Sequence, residues 1–451
     1  MYDPSSRSFK VGCGRRMNKG QMKWWQLSLL GIGCTIGTGF FLGSSIAIQS
    51  GGNAVLIAFL LAAIGTYIVY DALAKLSVND PDKGSFRSYA KKAFGRWAGF
   101  SNGWIYCLSE VLIMGSQLIA LGIFTQFWFP ELPLWMLAAI YGGLGLLVLL
   151  AGMQGFEKIE NGFGIVKLAA ILIFIFVSII LLIRGLNGNS SGTMPYLMDG
   201  QHFFTQGITG IWQALLYAVY AFGGIEVMGL VVIDLKDPRT APKAGKVMLI
   251  LLTVIYLISI ALVLALVPWT MVNPDESPFI TALELYQLPL IIDLFTGILI
   301  VAGFSTMVAA LYAVITLVTS LAEDKDAPAI LAKQGKFKVP MPAFLFTAAV
   351  LFFSIIIALL LPEKIFEYMT TAAGLMLIYN WLFILAAFTK LENTSSWEKG
   401  KVLLGALLIV ITVAGTTMQQ TSRLGFYVSL LFLAIIGTVA KVNDKRNRST
   451  I

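Results

Sequence analysis

Three ionisable side chains stand inside otherwise apolar stretches: Lys167 in NGFGIVKLAAILIF, Glu110 in YCLSEVLIMGSQ and Glu226 in LYAVYAFGGIEVMGL. At the centre of a membrane span an ionised lysine costs roughly 2.5 to 3.5 kcal/mol on insertion scales, so a partner or a change of protonation must offset it. Lys167 is therefore suited to losing and regaining a proton within one working cycle. The alternative is a lysine that snorkels to the nearer interface. Glu226 follows Gly223 and Gly224 and is either a proton site or a structural acceptor for backbone amides that those glycines free. Glu110 can pair with a lysine, line a pathway or face a neighbouring helix, and the last is the plainest expectation.

Two glycine clusters offer a second kind of chemistry. LLGIGCTIGTGFFLGSS places Gly31, Gly33, Gly37, Gly39 and Gly43 around Thr35 and Thr38, and LYAVYAFGGIEVMGL places Gly223 and Gly224 within an apolar run. Glycine weakens a helix by about 1 kcal/mol relative to alanine and lets backbone approach a ligand. Unwound amides and carbonyls inside a bilayer can hold a charged solute, and paired breaks in two halves of a chain point to an inverted-repeat transporter. Gly33 with Gly37, and Gly39 with Gly43, also match the GxxxG spacing that brings two helices together. Enzyme chemistry finds little support. The lone His202 reads as a loop residue, and Cys13, Cys34 and Cys107 have neither paired spacing nor a ligand cluster. No cofactor and no metal are expected.

The elements that position these groups follow from hydropathy. With 57% hydrophobic and 12% charged residues, the chain is too apolar for water to be its main solvent. Twelve apolar blocks, beginning near residues 24, 54, 98, 134, 163, 206, 247, 291, 343, 365, 402 and 424, approach or exceed the ~20 residues that span a bilayer as a helix. Lysines and arginines orient them. If the N-terminus is cytoplasmic, 28 of the 32 basic residues fall in inner loops and tails, with Arg184, Lys364 and Arg423 outside and Lys167 within a span. The net charge of +8 is thus spread over every inner loop as membrane topology and is no nucleic-acid footprint. The segment VVIDLKDPRTAPKAGK reads as a rigid inner turn after the sixth block.

Six motifs in order, GCTIGTGFF, GSFRSYAKKAFGRWAGFSNGWIY, FWFPELPLW, KIENGFGIVK, YAFGGIE with DPRTAP, and SLAEDKDAP, resemble the amino acid permeases of the amino acid-polyamine-organocation superfamily over roughly residues 20 to 440. That resemblance implies an all-α, LeuT-like fold of twelve transmembrane helices. A cytoplasmic tail (1–23) precedes a first repeat of five helices (24–184) and an outer loop (185–205). The inverted second repeat (206–389), two accessory helices (390–441) and a cytoplasmic tail (442–451) complete it. In relatives the substrate carboxylate rests on the unwound part of helix 1, here Thr35, Ile36, Gly37, Thr38 and Gly39, with the Thr38 hydroxyl and Gly39 amide as donors. The ammonium meets carbonyls matching Thr35, Tyr220 and Gly223, under an aromatic cover at Tyr220 or Phe222. Gln117, Phe304, Ser305 and Asn380 are candidates for the side-chain pocket. Lys167 matches a lysine that replaces a sodium ion in some relatives, and Glu226 a glutamate linked to protons. Gln117 stands where many relatives carry glutamate, which argues against a cationic substrate. The expectation is a plasma-membrane importer of a neutral L-amino acid with protons, its partners being substrate, proton and lipid bilayer. An amino acid exchanger and a transporter-like sensor are the rivals.

Overall fold

The computed structural model describes residues 22–82, 84–151, 153–186, 204, 206–333, 339–360 and 365–448. His202, Lys364, most of the expected outer loop and nearly all of the N-terminal tail lie outside the described residues. Those described are helical almost throughout, as apolar surroundings require when each backbone amide and carbonyl must be satisfied within its own segment. In chain order the α-helices are α1 (Trp24–Thr35), α2 (Thr38–Phe41), α3 (Gly43–Gly51), α4 (Val55–Asn79), α5 (Ser85–Phe94), α6 (Arg96–Gln126), α7 (Leu134–Ala151), α8 (Met153–Leu186) and α9 (Gly207–Ala221). They continue as α10 (Ile225–Val231), α11 (Ala241–Leu266), α12 (Pro278–Glu284), α13 (Pro289–Glu323), α14 (Met341–Leu360), α15 (Ile365–Leu391), α16 (Ser396–Gly415) and α17 (Gln420–Arg448).

Among the described residues eight helical segments are long and apolar enough to cross a membrane, and Leu134–Leu150 and Met341–Ile357 are shorter apolar helices. Two differences from the twelve expected blocks have local causes. The first block is split, so that neither half alone is long, and α16 carries Glu398, Lys399 and Lys401 in its first two turns. The short helices α5 and α12 connect spans and are too brief to register as apolar blocks, while α17 continues to Arg448, beyond the expected start of the tail at 442.

Both glycine clusters break their helices. α1 stops at Thr35; Ile36 (φ −70°, ψ 110°) and Gly37 (φ −152°, ψ −165°) are extended, and α2 begins at Thr38. α9 stops at Ala221, and Gly224 takes φ +112° before α10 begins, a region where a side chain is strained and glycine is not. Around these breaks α6 packs along α13 and α15, while α1 lies against α8, α10 and α11. At one end of the bundle, buried rings of Phe40, Phe41, Phe59, Tyr256 and Phe279 close over the breaks, with Phe40 stacked on Tyr256 at 3.8 Å and 7°. The other, basic end is tied by ion pairs of Arg87 and Arg96 with Asp326, and of Lys75 with Asp71 and Glu398. There Met22 also pairs with Leu235, through Met22 N to Asp234 O at 3.1 Å and Lys236 N to Met22 O at 2.9 Å.

Candidate functional site

A cavity runs from the two breaks to the basic end. Thr35, Gly37, Gly39, Tyr220, Gly223 and Gly224 line its deep part, and Gly84, Arg87 and Ser320 its far part. The helix ends that meet there leave backbone groups without intrahelical partners, and the α2 N-terminus adds a positive dipole end. Together they suit a zwitterion: amides for a carboxylate, carbonyls for an ammonium. Among the described residues the buried Thr35 hydroxyl has no hydrogen-bond partner, an open polar group at the break itself.

Side chains from α6 and α13 complete the deep part. Gln117 Oε1 accepts hydrogen bonds from the Thr38 hydroxyl at 2.6 Å and the Thr306 hydroxyl at 3.0 Å. That arrangement spends the Thr38 hydroxyl, expected as a substrate donor, on fixing Gln117, and it turns the Gln117 Nε2 toward Gly37, 3.5 Å from where a Cβ would stand. Tyr220 holds its hydroxyl 2.8 Å from Ser116 Oγ and lays its ring on Gly39, where an added Cβ would lie 2.9 Å from the ring. Gly39 is therefore required for close approach.

Of the residues expected at the site, Thr35, Gly37, Gly39, Gln117, Tyr220 and Gly223 line the cavity together. Thr38 reaches it through Gln117. Ile36 and Phe222 do not line it: both are buried, and Phe222 packs on Tyr256 at 5.2 Å, so the aromatic position at the break is Tyr220. Ser305 is buried off the cavity wall, and its neighbour Thr306 takes the place expected of it. Phe304 pairs with the Tyr141 ring, and Asn380 is bonded to Asn102 away from the cavity. Thr306, Tyr106, Ser116 and Arg87 carry polar atoms into or beside the site that sequence reasoning missed.

The charged groups separate by position. Lys167 is fully buried rather than snorkelling, and its ammonium donates to the Gly33 carbonyl at 3.3 Å. This carbonyl belongs to the last turn of α1, where a cation is favoured by the helix dipole. The contact is possible because α1 and α8 cross closely: a Cβ on Gly33 would meet the Gly164 Cα at 3.7 Å. Gly33 thus serves packing, while Gly37 and Gly39 serve the break. Glu226 is also fully buried; its Oε2 accepts from the Gly224 amide at 3.1 Å and its Oε1 from the Trp381 indole. It clamps the start of α10 to α15. Glu110, expected to face a neighbouring helix, instead lines the cavity beside Tyr106.

A family model described as amino acid permease matches residues 26–450. An uncharacterized transporter, YcgH of Bacillus subtilis (strain 168), is 52% identical over 429 residues, covering 95% of this chain and 96% of that one. The aromatic amino acid transport protein AroP of Escherichia coli (strain K12) is 30% identical over 424 residues, covering 94% and 90%. Among solved structures, MhsT in complex with L-phenylalanine superposes with a TM-score of 0.62 at 16% identity, covering 88% of this chain and all of that one. A mutant of the Eremococcus coleocola manganese transporter superposes with a TM-score of 0.56 at 13% identity, covering 94% of each. These likenesses establish an all-helical fold of the LeuT-like kind for this chain, and with a match spanning almost its whole length it belongs to the amino acid permease family of membrane transporters.

Proposed function

We propose that this chain imports a neutral L-amino acid together with protons across the plasma membrane by alternating access, with both termini cytoplasmic. The observation that carries the reading is the cavity between the broken helices, where main-chain polar groups, Gln117 and the unpartnered Thr35 hydroxyl are available to a zwitterion, with Lys167 braced against the end of α1. Substrate carboxylate sits on Gly37 to Gly39, its ammonium on the carbonyls of the α1 and α9 ends, and Tyr220 covers it. Lys167 loads and unloads a proton, loosening and restoring its hold on Gly33. Glu226 supports the coupling by keeping α10 in register. Under the orientation that places the basic end inside, the cavity opens to the cytoplasm and the aromatic rings close the outer side.

A neutral side chain with apolar bulk suits the wall beyond Gln117, which offers Ile113, Ala309, Ala310 and Ala313. Phenylalanine, tyrosine and tryptophan are therefore the first substrates to test, in keeping with what AroP transports and with what MhsT holds. In proteoliposomes, uptake is expected to follow an imposed proton gradient without sodium, and Lys167→Ala or Lys167→Met to abolish or uncouple it. Sodium dependence with an indifferent Lys167 would refute the coupling; counterflow with no proton requirement would make the chain an exchanger, and binding without uptake a sensor.

A further inference from the structure

Glu110 is the only carboxylate among the described residues lining the cavity. It stands seven residues before Gln117 on α6, which sets it about 10 Å along the helix toward the basic end, on the way out from the breaks. Its residue is 9% exposed, and among the described residues no lysine or arginine reaches it as an ion-pair partner. Arg87, the other charged residue of the cavity wall, is engaged by Asp324, Asp326 and Ser320. The titratable groups around Glu110 supply no cation either. They are Tyr106 and Cys107 on its own helix, Cys34 on α1, Tyr220 on α9 and Glu226 on α10, with Tyr312 on α13 across the cavity. Lys167 is turned to Gly33, and Tyr379 of α15 to Ser429.

A carboxyl at this depth must be paired, wet or protonated. An amino acid with a neutral side chain brings no spare cation, so a proton is what remains to balance Glu110 when the cavity is loaded and closed to water. Glu226 cannot serve the cavity in this way, because both its oxygens are taken and it does not line the wall. We propose that Glu110 is the cavity-facing proton carrier. Its carboxyl O–H forms with a proton arriving from the outer side. On opening to the basic end that bond breaks, the proton passes to cavity water, and the carboxylate stays behind wet until the cavity faces outward again. The proposal rests on the proton-coupled reading above.

The test uses the full-length protein in proteoliposomes, with Glu110→Gln and Glu110→Asp. Because a tenfold concentration ratio and one pH unit are equal in free energy, a gradient of one unit supports about tenfold accumulation per proton. The native protein is expected to accumulate amino acid to that order, Glu110→Gln to reach only equilibrium while still exchanging labelled for unlabelled substrate, and Glu110→Asp to retain part of the accumulation. If Glu110→Gln accumulates as the native protein does, the assignment is wrong and the proton-coupled reading stands. If the native protein itself ignores the pH gradient, both fall. Loss of exchange in a Glu110→Gln protein that keeps its native melting temperature, or a shift of preference from cationic to neutral substrates, would make Glu110 a substrate contact and overturn the proposal.

Discussion

Trp381 and Gly224 hold the two oxygens of Glu226, and that clamp makes a sharp expectation at the scale of one side chain. Trp381→Phe keeps most of the ring volume but removes the donor, leaving a buried carboxylate oxygen unsatisfied at a cost of about 1 to 3 kcal/mol. The thermal midpoint of the purified protein should fall accordingly, and an unchanged midpoint would remove the clamp. A second pair isolates the role of Gln117. Thr306→Val deletes one of the two hydroxyls on Gln117 Oε1, a net hydrogen bond of about 0.5 to 1.5 kcal/mol, so substrate affinity should drop by about two- to tenfold, whereas Ser305→Ala should leave it nearly unchanged. Titration of binding by thermal shift reads both. The contrast also marks where sequence reading ends. Gln117 and Tyr220 stand out by residue type in apolar spans, but Ser305 and Thr306 are adjacent hydroxyls on one helix, turned about 100° apart, and only the packing of α13 on α6 decides which faces the cavity. Glu110 was visible as a buried carboxylate, yet its direction depended on the same packing.

At the scale of elements, the glycines divide by task. Gly224 has φ +112° and its Cβ would stand 3.0 Å from the Cys34 carbonyl, so Gly224→Ala combines backbone strain of about 1 to 3 kcal/mol with a backbone contact between the two broken helices. Gly43 has nothing within 4 Å of an added Cβ and is the first residue of α3, where alanine is favoured over glycine by less than the ~1 kcal/mol of a helix interior. Gly43→Ala should therefore be neutral or stabilising, and Gly224→Ala should lose both stability and uptake; equal effects in the two would deny the break its special geometry. The breaks were legible because glycine is costly in a helix and clusters only for a reason, while the GxxxG alternative for Gly39 with Gly43 fails since Gly43 faces open space. The anchoring of α16 was not legible. Ser395 and Glu398 form a capping box at its start, and Lys75 of α4 donates to Glu398 at 2.9 Å. The Lys75 hydrogen bond, aided by the Ser395 amide, pushes the Glu398 carboxyl down from 4.5 to about 2. With a folded value below the unfolded one, its stabilising contribution is complete above pH 4.5 and is lost as pH falls toward 2. The pair is partly exposed, so the effect is small; Glu398→Gln should flatten the acid limb of a melting-temperature profile, and an unaltered limb would show that the contact carries no stability.

For the whole molecule the governing asymmetry is between a sealed aromatic end and a cavity that reaches the basic end. Hydropathy and basic-residue counts could propose the sidedness, because lysines and arginines concentrate in cytoplasmic loops irrespective of how helices pack. They could not say which end is closed, since Phe40, Phe59, Tyr256 and Phe279 come from elements that meet only in three dimensions. Cys34 makes the arrangement measurable. It is half-buried on the cavity wall, whereas Cys107 is buried in α6; Cys13 lies outside the described residues and is removed by Cys13→Ser. In that background a membrane-impermeant thiol reagent should modify Cys34 when applied to the face of the membrane bearing the basic loops, and much more slowly from the opposite face, where the ring cluster stands between reagent and sulfur. Transported amino acid should slow the reaction further, because the substrate site proposed at Thr35 and Gly37 lies beside the path to that thiol. Labelling that proceeds faster from the aromatic side would reverse the orientation proposed for the cavity, and labelling indifferent to substrate would separate the cavity from the transport site.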